Sequence, residues 1–279
     1  MPNDFNQQII EEFRANNGRV GGYFEGARLL LLTTTGARSG TPHTTPVGYL
    51  PDGDGRLMVI ASAGGAPRHP DWYHNLAAHP RATIDDGGFT YEARARILAG
   101  GERDRAFARA VESDSGWAEY QAKTERVIPV VILEAIPGPP SPNAATWGEA
   151  LRTIHDGFRR ELALIRTELT EADGPRLGAQ LRVNCLTFCQ GLHNHHTGED
   201  TATFPMLGRH HPELAEVLAR LATEHEKMAD LLAELRQVLA EEGAEPAAVL
   251  AQVERITGDL EAHLDYEEEH LVPVLDAAV

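Results

Sequence analysis

Two His-x-x-x-Glu pairs, His195/Glu199 and His263/Glu267, stand out in this sequence of 279 residues. A spacing of four puts both side chains on one helix face, a turn apart. Each pair therefore offers an imidazole nitrogen and a carboxylate to the same point. His155 and His225 recur in two further segments. Six such donors on four segments can enclose two cations, and Glu199 and Glu267 can each bridge them through two oxygens. These two acids are also the catalytic candidates. Imidazole with carboxylate suits iron or manganese better than a thiolate-loving metal. A single His on an apolar face is ordinarily a hydrogen-bonded core residue. Six converging polar groups are a different matter, because a buried carboxylate is costly unless it is paired or bound to metal.

The elements that must position them are four helices. Near 145–171 the apolar seam runs Leu151, His155, Phe158, Leu162, Ile165, Leu169. Near 176–200 it runs Leu181, Cys185, Phe188, Leu192, His195, Glu199. A third seam, near 212–240, passes through Leu221, His225, Met228 and Leu232, and a fourth, near 245–275, through Ile256, Leu260, His263 and Glu267. Steps of three and four place each set on one stripe, and four stripes joined by short loops make an up-down four-helix bundle. Cys185 and Cys189 read as packing residues. His196, Asp200, Glu268, Glu269 and His270 fall off the seam, and Glu224 and Glu226 read as solvated surface. His210 and His211 precede Pro212 at a helix start. His193 is off the stripe but close enough to support a ligand.

HNHHTGED (193–200), TFPML (203–207), TEHEKM (223–228) and EAHLDYEEEHLVPVL (261–275) resemble the hemerythrin family in its HHE cation-binding branch. The resemblance covers about residues 147–276. It implies a non-haem di-iron centre, two iron ions reacting with O2 inside an antiparallel bundle. Oxygen-carrying members supply two His from the third helix, four apart. Here Leu221 and Ala229 occupy those distances from His225, which implies fewer nitrogen ligands and an open coordination position. An open position favours activation, sensing or redox turnover over reversible carriage.

The first half has another character. Residues 4–15 form an amphipathic helix pattern. Strands are predicted at Arg28–Thr35, His43–Leu50, Leu57–Ser62, Arg81–Asp85, Phe89–Leu98 and Val127–Glu134, with helices at Asp71–Ala78 and Glu102–Thr124. Short strands with Gly and Asp turns predict a small antiparallel barrel, and the helical insertions make it α+β. TTTGARSGTPHTTPVGYL (33–50) is a hairpin whose tip offers backbone N–H groups and a cation to an anion. An ordinary hairpin with polar tips has the same composition. SAGGAPRHPDWYHNL (62–76) pairs close-approach glycines with aromatic residues, which suits either a planar ring or a core Trp under a loop.

With YQAKTERVIPVV (120–131) these stretches resemble, over about residues 5–136, the deazaflavin-dependent nitroreductase family of split β-barrels. The resemblance implies a reduced 8-hydroxy-5-deazaflavin that donates hydride. Arg38, Ser39 and His43 would meet it on the first hairpin. Thr45, Pro46, Ser62, Gly64 and Gly65 would lie along its ring and tail, with Trp72 beneath, and Tyr120 and Trp117 would line the substrate side. The well-studied members have a basic residue at the place of His43 and a Lys at that of Ala63. The pocket could therefore hold the deazaflavin weakly, hold FMN instead, or be vestigial, with Arg68 as a compensating cation.

The resulting expectation is an α+β two-domain chain, with a split antiparallel β-barrel of flavin-binding type over 1–136, a Pro-rich linker over 137–146, and a four-helix bundle over 147–279. Net charge is −17, and residues after 140 carry 25 of the 42 acidic groups but 11 of the 25 basic ones. That argues against nucleic acid, which needs a basic face. No apolar run reaches a membrane span, and the N-terminus has no secretory pattern, so a cytoplasmic protein is expected. The combination reads as a redox enzyme acting on a small-molecule substrate with O2. The alternative is a protein that senses or binds iron, O2 or nitric oxide, with a non-catalytic barrel. Barrels of this resemblance often pair as homodimers.

Overall fold

The computed structural model describes residues 4–138, 141–172 and 174–277. The chain divides after Asn143 into two compact units.

The first unit is a closed antiparallel barrel of six strands. They are β1 (Leu29–Thr35), β2 (Pro42–Pro51), β3 (Leu57–Ile60), β4 (Arg81–Asp85), β5 (Phe89–Ile97) and β6 (Val130–Ala135). Their order is β4-β1-β2-β3-β6-β5, and β4 pairs with β5 to close the ring. The continuous apolar runs of β1 and β6 follow from burial on both faces. Leu30 and Leu32 point into the barrel with Val59, Trp72, Val131 and Leu133. Leu29 and Leu31 point outwards against Ile9, Ile10 and Phe13 of α1 (Asp4–Ala15). On another side Met58, Ile60, Val130 and Ile132 pack on Ala106, Phe107 and Ala110 of α3 (Gly100–Ser113). Between β3 and β4 lies α2 (Asp71–Ala78).

The single helix expected over 102–124 is two, α3 and α4 (Gly116–Ala122). Asp114 is extended, at φ −154°, and its Oδ1 accepts the Gly116 N–H at 2.8 Å. This short side chain outcompetes the helical hydrogen bond. In the Pro-rich segment, β7 (Ser141–Pro142) pairs with Phe89–Thr90 of β5. Pro139 and Pro140 lie outside the described residues.

The second unit is a ring of four long helices, α5 (Trp147–Thr170), α6 (Ala179–Gly198), α8 (Ala215–Ala240) and α9 (Pro246–Ala277), plus the short α7 (Phe204–His210). α9 packs against α5 and α8, and α6 against α5 and α8. Thr146 caps α5: its Oγ1 accepts from Glu149 N at 3.1 Å, while Glu149 Oε2 accepts from Ala145 N at 2.7 Å. This reciprocal pair satisfies two orphan donors. The second helix does not end at 200 as the sequence predicts. It passes through a π-turn, Glu199–Thr203, in which Phe204 N–H donates to the Glu199 carbonyl, and runs on as α7.

The apolar interior of this unit falls into two clusters. One, from Leu162 to Leu264, contains the buried Cys185 and Cys189. The other joins Leu151, Phe204, Leu221, Leu271 and Leu275. Along α5 and α8 the polar seam residue, His155 or His225, falls between the two. Trp147, Met206, Leu207 and Leu275 also border a surface cavity of about 420 Å³, and the Trp147 ring is 65% exposed. Among the described residues no helix is long and apolar enough to cross a membrane.

Candidate functional site

The layer between the two clusters is built of imidazoles and carboxylates. His155 Nε2 lies 3.2 Å from His195 Nε2 and 3.5 Å from Glu267 Oε2. His195 Nε2 is 3.3 Å from Glu199 Oε1. The other oxygen of Glu199 is 3.6 Å from His225 Nε2, and Glu267 Oε2 is 3.7 Å from His263 Nε2. The residues singled out from the seam therefore converge. His155, His195, Glu199 and Glu267 bring ligand atoms within 4.8 Å of one another, and so do His196, His225 and His263.

His196 corrects the sequence reading, which left it off the seam. It is 5% exposed and stacks on His225 at 4.1 Å between ring centroids, 11° from parallel. The nitrogen absent from the third helix is supplied by the second, so the layer offers five imidazoles rather than four. The signal that could have found it was the shortfall itself: with one His on the third helix, a neighbouring His in HNHHTGED was the available substitute. His193 is exposed.

Three acids also correct the sequence reading: Glu268 and Asp200, placed off the seam, and Glu224, read as surface. Glu268 Oε1 accepts from His155 Nδ1 at 2.9 Å and from Arg159 Nη1 at 2.7 Å. Asp200 accepts from His225 Nδ1 at 2.8 Å. Glu224 Oε2 accepts from His263 Nδ1 at 3.0 Å, while its Oε1 accepts from Arg220. A carboxylate on Nδ1 holds the proton there and turns Nε2, with its lone pair, inwards. These acids sit beside ligand positions in sequence but serve histidines on neighbouring helices, which a single-helix stripe cannot reveal.

Electrostatics fit cation binding. Burial lowers the pKa of all five imidazoles, keeping them neutral and able to ligate. Burial also raises Glu199 and Glu267 above the usual carboxylate range. Buried atoms without a hydrogen-bond partner include Nε2 of His196, His225 and His263, Oε2 of Glu199 and both carboxylate oxygens of Glu267. Leaving so many buried polar groups unsatisfied is costly. Nitrogen and carboxylate donors left open in this way suit a metal site.

In the barrel unit a second site is open to solvent. A cavity of about 950 Å³ is bordered by Arg38, Ser39 and His43 of the β1–β2 hairpin, Arg68 and His69 of the loop before α2, and Arg126. Three guanidiniums against the single acid of the lining, Asp71, give this cavity a positive excess in a strongly acidic chain. The hairpin tip is fixed from inside: Asn75 Oδ1 accepts from Ala37 N at 2.9 Å, and its amide donates to Thr34 Oγ1 at 3.0 Å. Ser39 Oγ contacts His43 Nε2 at 3.1 Å. A Cβ on Gly36 would come within 2.2 Å of Ser39 Oγ.

The remaining expected cofactor residues lie elsewhere. Thr45 and Pro46 are half-buried on β2, paired with Leu32 and Leu31. Ser62, Gly64 and Gly65 form the loop after β3, where a Cβ on Gly65 would meet Tyr120 O at 2.9 Å. Tyr120 packs edge-on to Trp117, with centroids 6.0 Å apart. Trp72 is 6% exposed and packs in the barrel core cluster with Leu30, Leu32 and Ile84.

Barrel and helical bundle make a two-module chain whose second module carries buried His/Glu clusters that could hold metal. Residues 6–135 match the F420H(2)-dependent quinone reductase family and residues 148–275 the hemerythrin HHE cation binding domain. A Mycobacterium tuberculosis F420H(2)-dependent quinone reductase is 40% identical over 125 residues, spanning 43% of this chain and 83% of that one. A second, putative quinone reductase from the same organism is 34% identical over 112 residues, spanning 40% and 93%. A solved F420-H2 dependent reductase is 42% identical and covers 38% of this chain and 94% of its own, with a TM-score of 0.35. The chain belongs to the F420H(2)-dependent quinone reductase family through its barrel and carries a hemerythrin HHE domain after it.

Proposed function

We propose that this chain is a redox enzyme whose barrel uses a reduced deazaflavin on a small-molecule acceptor and whose bundle holds two iron ions that react with O2 or a related oxygen or nitrogen species. The observation that supports the bundle reading is the set of unsatisfied nitrogens and oxygens in a buried layer between apolar clusters. Kinship to F420H(2)-dependent reductases supports the barrel reading.

When bound, the deazaflavin supplies a hydride and the iron pair supplies one-electron redox chemistry. The chain's own residues do the rest. Arg38 and Arg68 would neutralise an anionic cofactor and offset the loss of basic residues at His43 and Ala63, while Arg126, tied to loop carbonyls, adds its charge at the pocket edge. Each charge-assisted contact contributes about 1–3 kcal/mol. Glu199 and Glu267 would lose their protons to solvent when cations bind and would serve as the carboxylate ligands. His155 and His195 would hold one ion, and His196, His225 and His263 the other. Glu268, Asp200 and Glu224 keep the imidazole lone pairs inwards, and the apolar clusters exclude water. The single His on the third helix does not leave the layer short of nitrogen, since His196 makes up the number.

Metal analysis of the purified protein, combined with titration against reduced deazaflavin and FMN and with turnover under O2, tests this. About two iron per chain, tighter deazaflavin binding and consumption of the reduced cofactor are expected. Stoichiometric binding without consumption would instead favour a sensor, and an iron-free protein would sink the bundle reading.

A further inference from the structure

Arg126 makes an unusual set of contacts at the edge of the barrel pocket. Its Nε donates to Ala66 O at 2.8 Å, its Nη1 to Ala61 O at 3.1 Å and its Nη2 to Ser62 O at 2.6 Å. The fourth partner is His69 Nδ1, 2.9 Å from Nη1. The guanidinium thus ties together the two ends of a loop in which Ala63, Gly64 and Gly65 all have positive φ, at 46°, 62° and 84°. An L-residue such as Ala63 resists that conformation, so the loop needs an external tie.

The same geometry decides the protonation of His69. Arg is a donor only and stays charged in proteins. Nδ1 of His69 must therefore be the acceptor, and in the neutral ring the proton sits on Nε2. A charged ring would set N–H against N–H. His69 also borders the cavity, and with its Nδ1 edge turned to Arg126 the edge left for an occupant carries Nε2–H. Tyr73 packs on the ring at 4.7 Å and His74 lies 5.8 Å away, both from α2.

We propose that His69 is a fixed, neutral Nε2–H hydrogen-bond donor of the cofactor pocket, its tautomer set by Arg126, and that it recognises an acceptor oxygen on the bound deazaflavin or flavin. This rests on the reading that the pocket takes such a cofactor. The groups facing His69 agree with neutrality: Arg126 on the segment before β6, Arg68 on its own loop, Arg38 and His43 on the hairpin, and His74 with the one acid Asp71 on α2. Burial and the Arg126 charge also hold its pKa below the ordinary histidine value.

Two measurements on the full chain test the proposal. Long-range ¹⁵N–¹H correlation on ¹⁵N-His protein, with the His69 signals identified by their loss in His69→Gln, should show the Nε2–H tautomer throughout pH 5.5–8. An Nδ1–H form, or titration at the ordinary histidine value, overturns it. Affinity for reduced deazaflavin and for FMN is then compared across variants. His69→Gln offers Arg126 a carbonyl and the cofactor an N–H, so it should stay within about threefold of wild type, with the same pH profile. His69→Phe should lose about tenfold. If Arg38→Ala weakens binding while His69→Phe does not, the donor role is wrong and the pocket stands. If neither variant moves affinity, or wild type binds neither cofactor, the pocket reading fails and takes the donor role with it.

Discussion

Five imidazoles meet in the bundle, and three of them have Nδ1 held by an acid. At His155, His225 and His263 an acid on Nδ1 leaves Nε2 for a cation. His196 stacks against His225, and its buried Nε2 has no hydrogen-bond partner. His196→Ala should therefore lower iron from about two to about one per chain. The exposed His193→Ala serves as control and should leave iron unchanged; equal iron in both variants would remove His196 from the ligand set. Glu268→Gln keeps the shape but weakens the hold on the His155 proton. Iron affinity should fall about 10–100-fold, as is usual for partners of ligating histidines, and competition with a chelator measures it. Residue by residue, the sequence disclosed the donors that replace Leu on a stripe. It hid those that lie one position round the helix, His196 and the outer acids, because their partners are on other helices.

Among the elements, the long stripes were the most legible, since a period of 3.6 repeated over six turns has few other meanings. α1 has the bounds that its amphipathic pattern predicts. Two junctions were not legible. At Asp114 one side-chain hydrogen bond splits a helix, and at Glu199 a π-turn lets the second helix run on to His210. Each turns on a single competing hydrogen bond, too small a signal to survive in a periodicity. The hairpin tip allows a direct test. Gly36→Ala places a methyl group among Ser39 and His43, whose side chains can move aside. Melting temperature should then change by no more than about 2 °C, while deazaflavin affinity falls about tenfold as the tip is rearranged. Unchanged affinity would separate the hairpin from the pocket's function.

For the molecule as a whole, division into two units was written in composition: apolar strands before residue 136, acidic helices with nine of the thirteen histidines after it. The metal-free bundle should be squeezed from both sides of neutrality. Its buried imidazoles have lowered pKa values, so the stability they add is present above about 6.5 and is lost as pH falls below it. Glu199 and Glu267 have raised pKa values, so their contribution is full below the ordinary carboxylate value and drains away as pH rises through neutrality. Thermal unfolding of chelator-treated protein should peak at intermediate pH. With iron present the alkaline decline should vanish, because cations favour the ionised acids. An alkaline limb that iron leaves untouched would mean that these acids do not bind it. Both apolar clusters of the bundle lie within residues 151–275, so residues 144–279 alone should fold and retain their iron, as helical circular dichroism with metal analysis can show.

Trp147 is the one indole of the second unit, and it already faces water. Its fluorescence begins where denatured tryptophan usually ends, so unfolding of the helices should pass with almost no change of colour. The red shift seen on denaturation would belong to Trp72 and the half-buried Trp117, carried out of the barrel unit. Light from Trp147 moves to the blue only when something apolar covers it, which makes that ring a reporter for any small molecule settling into the cavity beside Met206.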